Sequence, residues 1–376
     1  MPFCFSPWTN IDISPMGEIA PCCKFRSKYY DQKFNIQNHT LQEYKNSELV
    51  NSVKKEFLSG NWPKGCERCR IEEENNISSK RQLDWNRWKQ FYDNYDLDNN
   101  QFITASIAFG NTCNLKCITC GPHSSSRWHK EFKEIYGVTM DHFKFYKNNF
   151  VQEFVTDAPH IVHLDIPGGE PFLSGVDEQK DLLQHYISQG QAKHISLHYT
   201  TNVTVFPDDE WWKLWEHFRE IDLQLSIDAV GARYEYIRYP ANWDQTMANT
   251  KHYLEKQKTC GNLRLSVSHT VSAYNIYYLD EFFDWCYTTG LPRPWCGRVH
   301  TPSHMQPEVW PPETKLFIMH KLQQSNDPDV KDWAKSLMQH DQSEHFEEFK
   351  SRTQQHDAYR NLNFTETFPE MAKWIR

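Results

Sequence analysis

A chain of 376 residues is long enough for one large domain or about two average ones, and it can bury a substantial core without cross-links. Its formal charge of −8 argues against a sequence-independent grip on nucleic acid and leaves short basic spots such as "KFRSK" (24–28) to touch phosphate. Aromatic residues make up 15% and glycines number only 14, which excludes a disordered or low-complexity chain, and no eighteen apolar residues run together as a membrane span would. Eleven bunched cysteines in a chain of this size point to metal or redox use in a reducing compartment, not to a secreted disulfide framework. The opening "MPFCFSPWTN" lacks the basic and apolar regions of a signal peptide, so the expectation is a soluble, cytoplasmic protein.

In chain order, residues 1–95 hold five cysteines and the helix-like stretch "TLQEYKNSELVNSVKKEFLSG", where Leu41, Tyr44, Leu49, Val53 and Phe57 recur at roughly helical spacing. This predicts a small metal-bearing lobe. An Asp- and Asn-rich linker, "DNYDLDNNQ" (93–101), separates it from the central region. Residues 102–300 then alternate apolar strands with helical segments: "FITASIAFG", "HIVHLDIPGG", "HISLHYTTN", "IDLQLSIDAV", "LRLSVSHTV" and, more weakly, "RPWCGRV". Such alternation implies parallel βαβ units. Six units are too few for a complete eight-stranded barrel, so the predicted fold class is α/β, a partial (β/α)6 TIM-like barrel.

Several of these strands carry a polar second face: Asp222, Gln224, Ser226 and Asp228 oppose Ile221, Leu223, Leu225 and Ile227. A closed barrel fills its interior with branched apolar residues, so this pattern favours a cavity lined for a ligand over a solvated sheet face. His163, Asp165, His198, Arg264 and Ser268 are the candidate substrate contacts on that face. Residues 301–376 read as a helical extension, with Asp327 as an N-cap, Pro328 at the first helical position, and Val330, Trp333 and Leu337 on one stripe.

The cysteines are the sharpest signal. "NTCNLKCITCG" (111–121) places Cys113, Cys117 and Cys120 just past the end of the first barrel strand, where parallel barrels build their active sites. A closed tetrahedral zinc site needs a fourth donor, for which His123 and His129 are near in sequence; a four-iron cluster on three thiolates leaves one iron open. The spacing alone leaves both readings standing.

The CxxxCxxC motif after the first strand resembles the signature of radical S-adenosylmethionine (SAM) enzymes, and other pieces follow in that family's order. "PGGEPFL" resembles its GGE motif, "TTN" occupies the third strand end, "SIDAV" the fourth and "HTVSAYN" the fifth. The resemblance implies that Cys113, Cys117 and Cys120 bind a 4Fe-4S cluster whose open iron holds SAM. It also implies that Gly168, Gly169, Glu170, Asn202, Ser226, Asp228 and Val271 contact SAM, with Arg238 meeting its carboxylate. The chemistry implied is reductive cleavage of SAM and hydrogen abstraction from a substrate carbon, fed by a low-potential electron donor such as flavodoxin or ferredoxin.

Cys4, Gly17 and Cys22 of "GEIAPCC", and Cys66 and Cys69 of "CERC", resemble the SPASM or twitch auxiliary-cluster module. On that resemblance four thiolates, Cys4, Cys22, Cys66 and Cys69, close a second 4Fe-4S cluster, and Cys23 is left over. Such modules usually follow the barrel, whereas here the cysteines come first. On ligand types alone a structural Cys4 zinc knuckle stays open. The expected substrate is a peptide or protein, or a small polar metabolite to be dehydrogenated or epimerised. Cys296, near the sixth strand, is the candidate hydrogen-atom donor, with Cys260 and Cys286 as packing residues. The rival class is a zinc-stabilised α/β interaction protein without catalysis.

Overall fold

The computed structural model of the chain describes residues 2–75, 77–99, 101–140 and 149–375; Asn100, inside the expected 93–101 linker, falls outside them. Its strands are β1 (Asn10–Ile13), β2 (Ile19–Ala20), β3 (Thr104–Ile107), β4 (His163–Ile166), β5 (Ser196–Thr201), β6 (Glu220–Ser226), β7 (Leu263–Val271) and β8 (Trp295–Arg298), in the order β2-β1-β3-β4-β5-β6-β7-β8. The sheet is mostly parallel: β1 with β3, β3 with β4, β4 with β5 and β7 with β8 are parallel, and β1 with β2 is antiparallel. The six β/α units anticipated by the sequence are the run from β3 to β8.

Two compact units emerge, one of Met1–Thr112, His142–Tyr199 and Pro207–Ile221, the other of Cys113–Asp141, Thr200–Phe206 and Asp222–Arg376. In the first, β1 comes from the stretch assigned on sequence to the N-terminal lobe, yet it pairs with β3 through Asn10↔Thr104 and Asp12↔Ser106. Its strands alternate as half-buried strands do: Ile11, Ile13, Ala105, Ile107, Leu164, Ile166, Leu197 and Tyr199 are all buried on one face. The helix-like stretch at 40–60 is two helices, Leu41–Lys45 and Glu48–Leu58. Thr40 and Glu43 close a capping box on the first, and Ser47 accepts from the Val50 N–H on the second, so an N-cap serine competes with helical continuation at the break.

The second unit keeps the predicted alternation along β7, where Leu263, Leu265, Val267, His269 and Val271 are buried and Arg264 is exposed. Its C-terminal helices include Pro328–Ser336, where Asp327 accepts from the Asp329 N–H and Pro328 takes the first position. Val330 and Leu337 are fully buried there. No helix among the described residues is long and apolar enough to cross a membrane.

Candidate metal centres

In the first unit, Cys4, Cys22, Cys66 and Cys69 line one cavity, walled by Phe25, Phe57 and Trp62. Local geometry explains the convergence. Cys22 follows β2 across Pro21, while Cys66 caps the helix Glu67–Glu74 and Cys69 lies in its first turn. The Arg26 N–H donates to the Gly65 carbonyl at 2.9 Å, which ties the two cysteine segments together. A Cβ at Gly65 would sit 2.4 Å from the Phe25 ring, so glycine is what lets that ring close over the cavity. Arg81 staples the rest: its Nη1 donates to the Phe3 carbonyl at 2.9 Å, and its Nε and Nη2 reach Glu73 at 2.8 and 2.6 Å.

Burial pushes all four of these thiols up, with the neighbouring cysteines adding to the rise at Cys22 and Cys66. Thiolates at this place therefore need a cation to hold them. Lys24, Lys80 and Arg81 border the cavity and offset negative charge gathered there. Four sulfurs and no nitrogen or oxygen ligand form a soft donor set that fits an iron–sulfur cluster or zinc. Among the described residues no three His, Cys, Asp or Glu side chains meet the spacing of a single-ion site. What the chain presents is a thiol-lined cavity, not a closed coordination sphere about one point.

In the second unit, the loop carrying Cys113, Cys117 and Cys120 is held by its backbone. The Lys116 N–H donates to the Tyr239 carbonyl at 2.8 Å and the Ile118 N–H to the Ile237 carbonyl at 2.7 Å. The Trp128 indole donates to the Cys117 carbonyl at 3.2 Å and the Ser125 hydroxyl to the Leu115 carbonyl. Beneath the loop, Glu131 is fully buried. It meets Lys116 Nζ at 2.6 Å, Arg360 Nε at 2.8 Å and His356 Nδ1 at 2.8 Å.

Several of the expected SAM contacts gather round this loop. The Asn202 side-chain N–H points to Cys113 Sγ at 3.7 Å and donates to Asn114 Oδ1 at 2.9 Å. Arg238 and Asp228, expected as separate contacts, face each other at 2.8 Å, and both are buried. Asp228 also accepts from the Thr270 N–H at 2.7 Å, one residue before Val271. Burial pushes the Cys117 thiol up, against the Arg238 guanidinium, which pulls it down; Cys120 is raised to about 11 by burial. The Arg238 Nε has no hydrogen-bond partner among the described residues. A buried guanidinium with an unmet donor, acting on the Cys117 and Cys120 thiols, fits a cluster carrying an anionic ligand. Ser226 ends β6, and Val271 ends β7 with its carbonyl taken by the Val299 N–H.

The GGE motif lies in the first unit. A Cβ on Gly169 would stand 2.3 Å from the Thr112 carbonyl oxygen, and the Glu170 N–H donates to that carbonyl at 2.9 Å. Gly169 thus lets its backbone pass close to that of Thr112. Gly168 has no such constraint, its nearest neighbour being the Gly110 oxygen at 3.8 Å. Cys296 is the second residue of β8, paired with His269, and burial raises its thiol to about 12. It opens onto a groove with Trp295, Arg298, Asp329 and Trp333. Sequence reasoning missed Lys80, Arg81, Glu131 and Arg360, which carry no motif, and Asn114, which lies between the first two cysteines of the loop.

Residues 4–70 match the family model of SPASM, an iron-sulfur cluster-binding domain, which agrees with the resemblance of the N-terminal cysteine segments to that module. No curated protein matches the chain. Among solved structures it is similar to native anSMEcpe with bound AdoMet, at 17% identity and a TM-score of 0.38 over 52% of each chain, so it spans about half the length of that protein. It is also similar to Streptococcus suis SuiB bound to S-adenosylmethionine, at 15% identity and a TM-score of 0.38 over 77% of this chain and 61% of that one. TYW1 with a lysine-pyruvate adduct bound aligns at 15% identity and a TM-score of 0.35 over 70% of this chain and 90% of that one. With these TM-scores below 0.5, the chemistry has to be read from the chain's own residues.

Proposed function

We propose that this chain is a radical SAM enzyme with an auxiliary iron–sulfur cluster. In this reading Cys113, Cys117 and Cys120 hold a 4Fe-4S cluster with one iron left for SAM, and Cys4, Cys22, Cys66 and Cys69 hold the second cluster. When bound and reduced, the first cluster with SAM supplies hydrogen abstraction from a substrate carbon. The observation that carries the reading is the trio of thiols on a backbone-pinned loop beside a buried arginine with an unmet donor.

The chain's own residues then have defined work. Asn202 and Asn114 fix the first cysteine of the loop. Arg238, aimed by Asp228, offers its remaining donor to the SAM carboxylate, and Asn202, Ser226, Asp228 and Val271 contact the rest of the nucleotide. Gly168 and Glu170 flank Gly169 for the SAM amino group. Cys296, a thiol that burial raises further to about 12 and so keeps protonated, gives a hydrogen atom to a substrate radical in this reading. The substrate is a peptide or a small polar molecule, and the electron donor is a low-potential partner such as flavodoxin or ferredoxin.

Anaerobic reconstitution with iron and sulfide tests this directly. The expected result is a brown protein with roughly eight iron atoms per chain, which forms 5′-deoxyadenosine from SAM under reduction and loses that activity in Cys117→Ala. A colourless zinc-loaded protein, or a cluster spectrum that SAM leaves unchanged, overturns the reading.

A further inference from the structure

The first unit contains a second enclosure, a cavity of about 170 Å³. Strand register builds its floor. Asp12↔Ser106, Ser106↔Asp165 and Asp165↔His198 are paired positions, so Asp12, Ser106, Asp165 and His198 form one polar row across β1, β3, β4 and β5. The next row down starts Asn10, Thr104, His163, and the Thr104 hydroxyl donates to Asn10 Oδ1 at 2.7 Å. The helix Lys80–Tyr92 supplies the opposite wall through Lys80, Asp84, Arg87 and Trp88.

Charge decides what this space suits. Three carboxylates, Asp12, Asp84 and Asp165, line it against two permanent cations, Lys80 and Arg87, and two imidazoles, His163 and His198; with both imidazoles neutral, one negative charge is in excess. Lys80 is already committed to Asp84 at 2.7 Å, and the Arg87 guanidinium lies 4.8 Å from the Trp88 ring centre. Between Asp12 and Asp165 stands one hydroxyl, Ser106, which donates to Asp165 at 3.1 Å. A single hydroxyl hydrogen cannot serve two carboxylates. Burial raises Asp12 to about 6, with Asp165 adding to the rise and Lys80 only partly offsetting it, and burial raises Asp165 against the pull of His198, Lys80 and Arg87.

We infer that this cavity binds a protonated amine, seated between Asp12 and Asp165 so that its N–H groups supply the donors and the charge that Ser106 cannot. At about 170 Å³ the space is smaller than a drug-sized pocket, so it suits a small metabolite or the end of an amine-bearing side chain. Calling that amine part of the substrate rests on the radical SAM reading above; the binding site itself does not.

The test is binding by saturation-transfer NMR and calorimetry to the full, cluster-reconstituted chain, with neither SAM nor reductant present, so that the site and the radical chemistry fail separately. The probe is 2-aminoethanol, with ethylene glycol and acetate as controls. The expected result is binding of the amine alone, weakened at least tenfold in both Asp12→Asn and Asp165→Asn, with the two variants shown folded by thermal unfolding and iron content. Equal binding of glycol or acetate, no binding of the amine, or unchanged affinity in the folded variants overturns the proposal. Displacement of 2-aminoethanol by an acetylated Gly-Lys-Gly peptide would assign the amine to a chain, and its failure to displace would assign it to a free small molecule; either result keeps the site.

Discussion

Lys116, between the first two cysteines of the 113–120 loop, places its ammonium 2.6 Å from the carboxylate of Glu131. Arg360, some 230 residues further along the chain, reaches the same carboxylate at 2.8 Å and donates through Nη2 to the Lys116 carbonyl at 2.9 Å. The three-cysteine loop and the C-terminal helices of this unit therefore share one buried anion. Glu131→Gln leaves the buried Arg360 and the half-buried Lys116 under-compensated and should cost about 3–5 kcal/mol. Burial opposes ionisation, but His356, Arg360 and Lys116 outweigh it and hold Glu131 down at about 2. A depressed carboxylate stabilises fully above its unfolded value of 4.5, and that contribution is lost as pH falls toward 2. The gap in thermal stability between wild type and Glu131→Gln should thus be full at pH 6 and shrink below about pH 4.5; a gap that does not change with pH would contradict this role.

The two glycines of the GGE motif should respond differently to alanine. Gly169→Ala drives a Cβ to 2.3 Å from the Thr112 oxygen, a backbone atom that cannot swing aside, whereas Gly168→Ala meets only ordinary contact at 3.8 Å. Denaturant unfolding should show Gly169→Ala destabilised by about 1–3 kcal/mol or more and Gly168→Ala within about 0.5 kcal/mol of wild type. Equal losses would mean that the clash is relieved elsewhere.

Asp12 should weaken the fold when ionised. Burial raises it to about 6, so the folded state holds its proton more tightly than the unfolded state does, and stability falls as pH rises from about 4 to 6. Asp12→Asn should therefore be more stable than wild type at pH 7, by on the order of 2–3 kcal/mol, and no more stable at pH 3.5. Chemical denaturation at the two pH values checks the sign. A gain in stability joined to loss of amine binding is the trade expected of a functional group.

Lys80 borders the thiol cavity, and its positive charge favours added electrons there. In cluster-reconstituted protein, Lys80→Met should make the auxiliary cluster harder to reduce by roughly 40 mV, the one-electron equivalent of about 1 kcal/mol. Potentiometric titration followed by electron paramagnetic resonance reads the shift, and a potential that stays put or rises would remove Lys80 from that role.

Much of the site was legible because its chemistry is carried by local spacing. The cysteine triplet, the four outlying cysteines and the polar alternation of β5, β6 and β7 are patterns within a few residues of each other. What escaped depends on register or on distance along the chain. Asp165 and His198 are legible as polar strand-face residues, but the row they form with Asp12 and Ser106 appears only when four strands are aligned, one of them β1 from the N-terminal stretch. Lys80, Arg81 and Arg87 sit in "KRQLDWNRWKQFY", which by sequence is an ordinary charged helix. Glu131, His356 and Arg360 are joined across more than 220 residues, and no local pattern marks such an encounter.

One side chain belongs to both enclosures of the first unit: Lys80 lines the sulfur cavity and the polar one alike. Whatever fills the polar space redistributes the field of that ammonium, and whatever electron count the sulfur side carries alters its pull on the ammonium in return. Occupancy and redox state are then thermodynamically linked, with the same coupling free energy read from either direction. On the two proposals above, an empty chamber and a full one should present different reduction potentials.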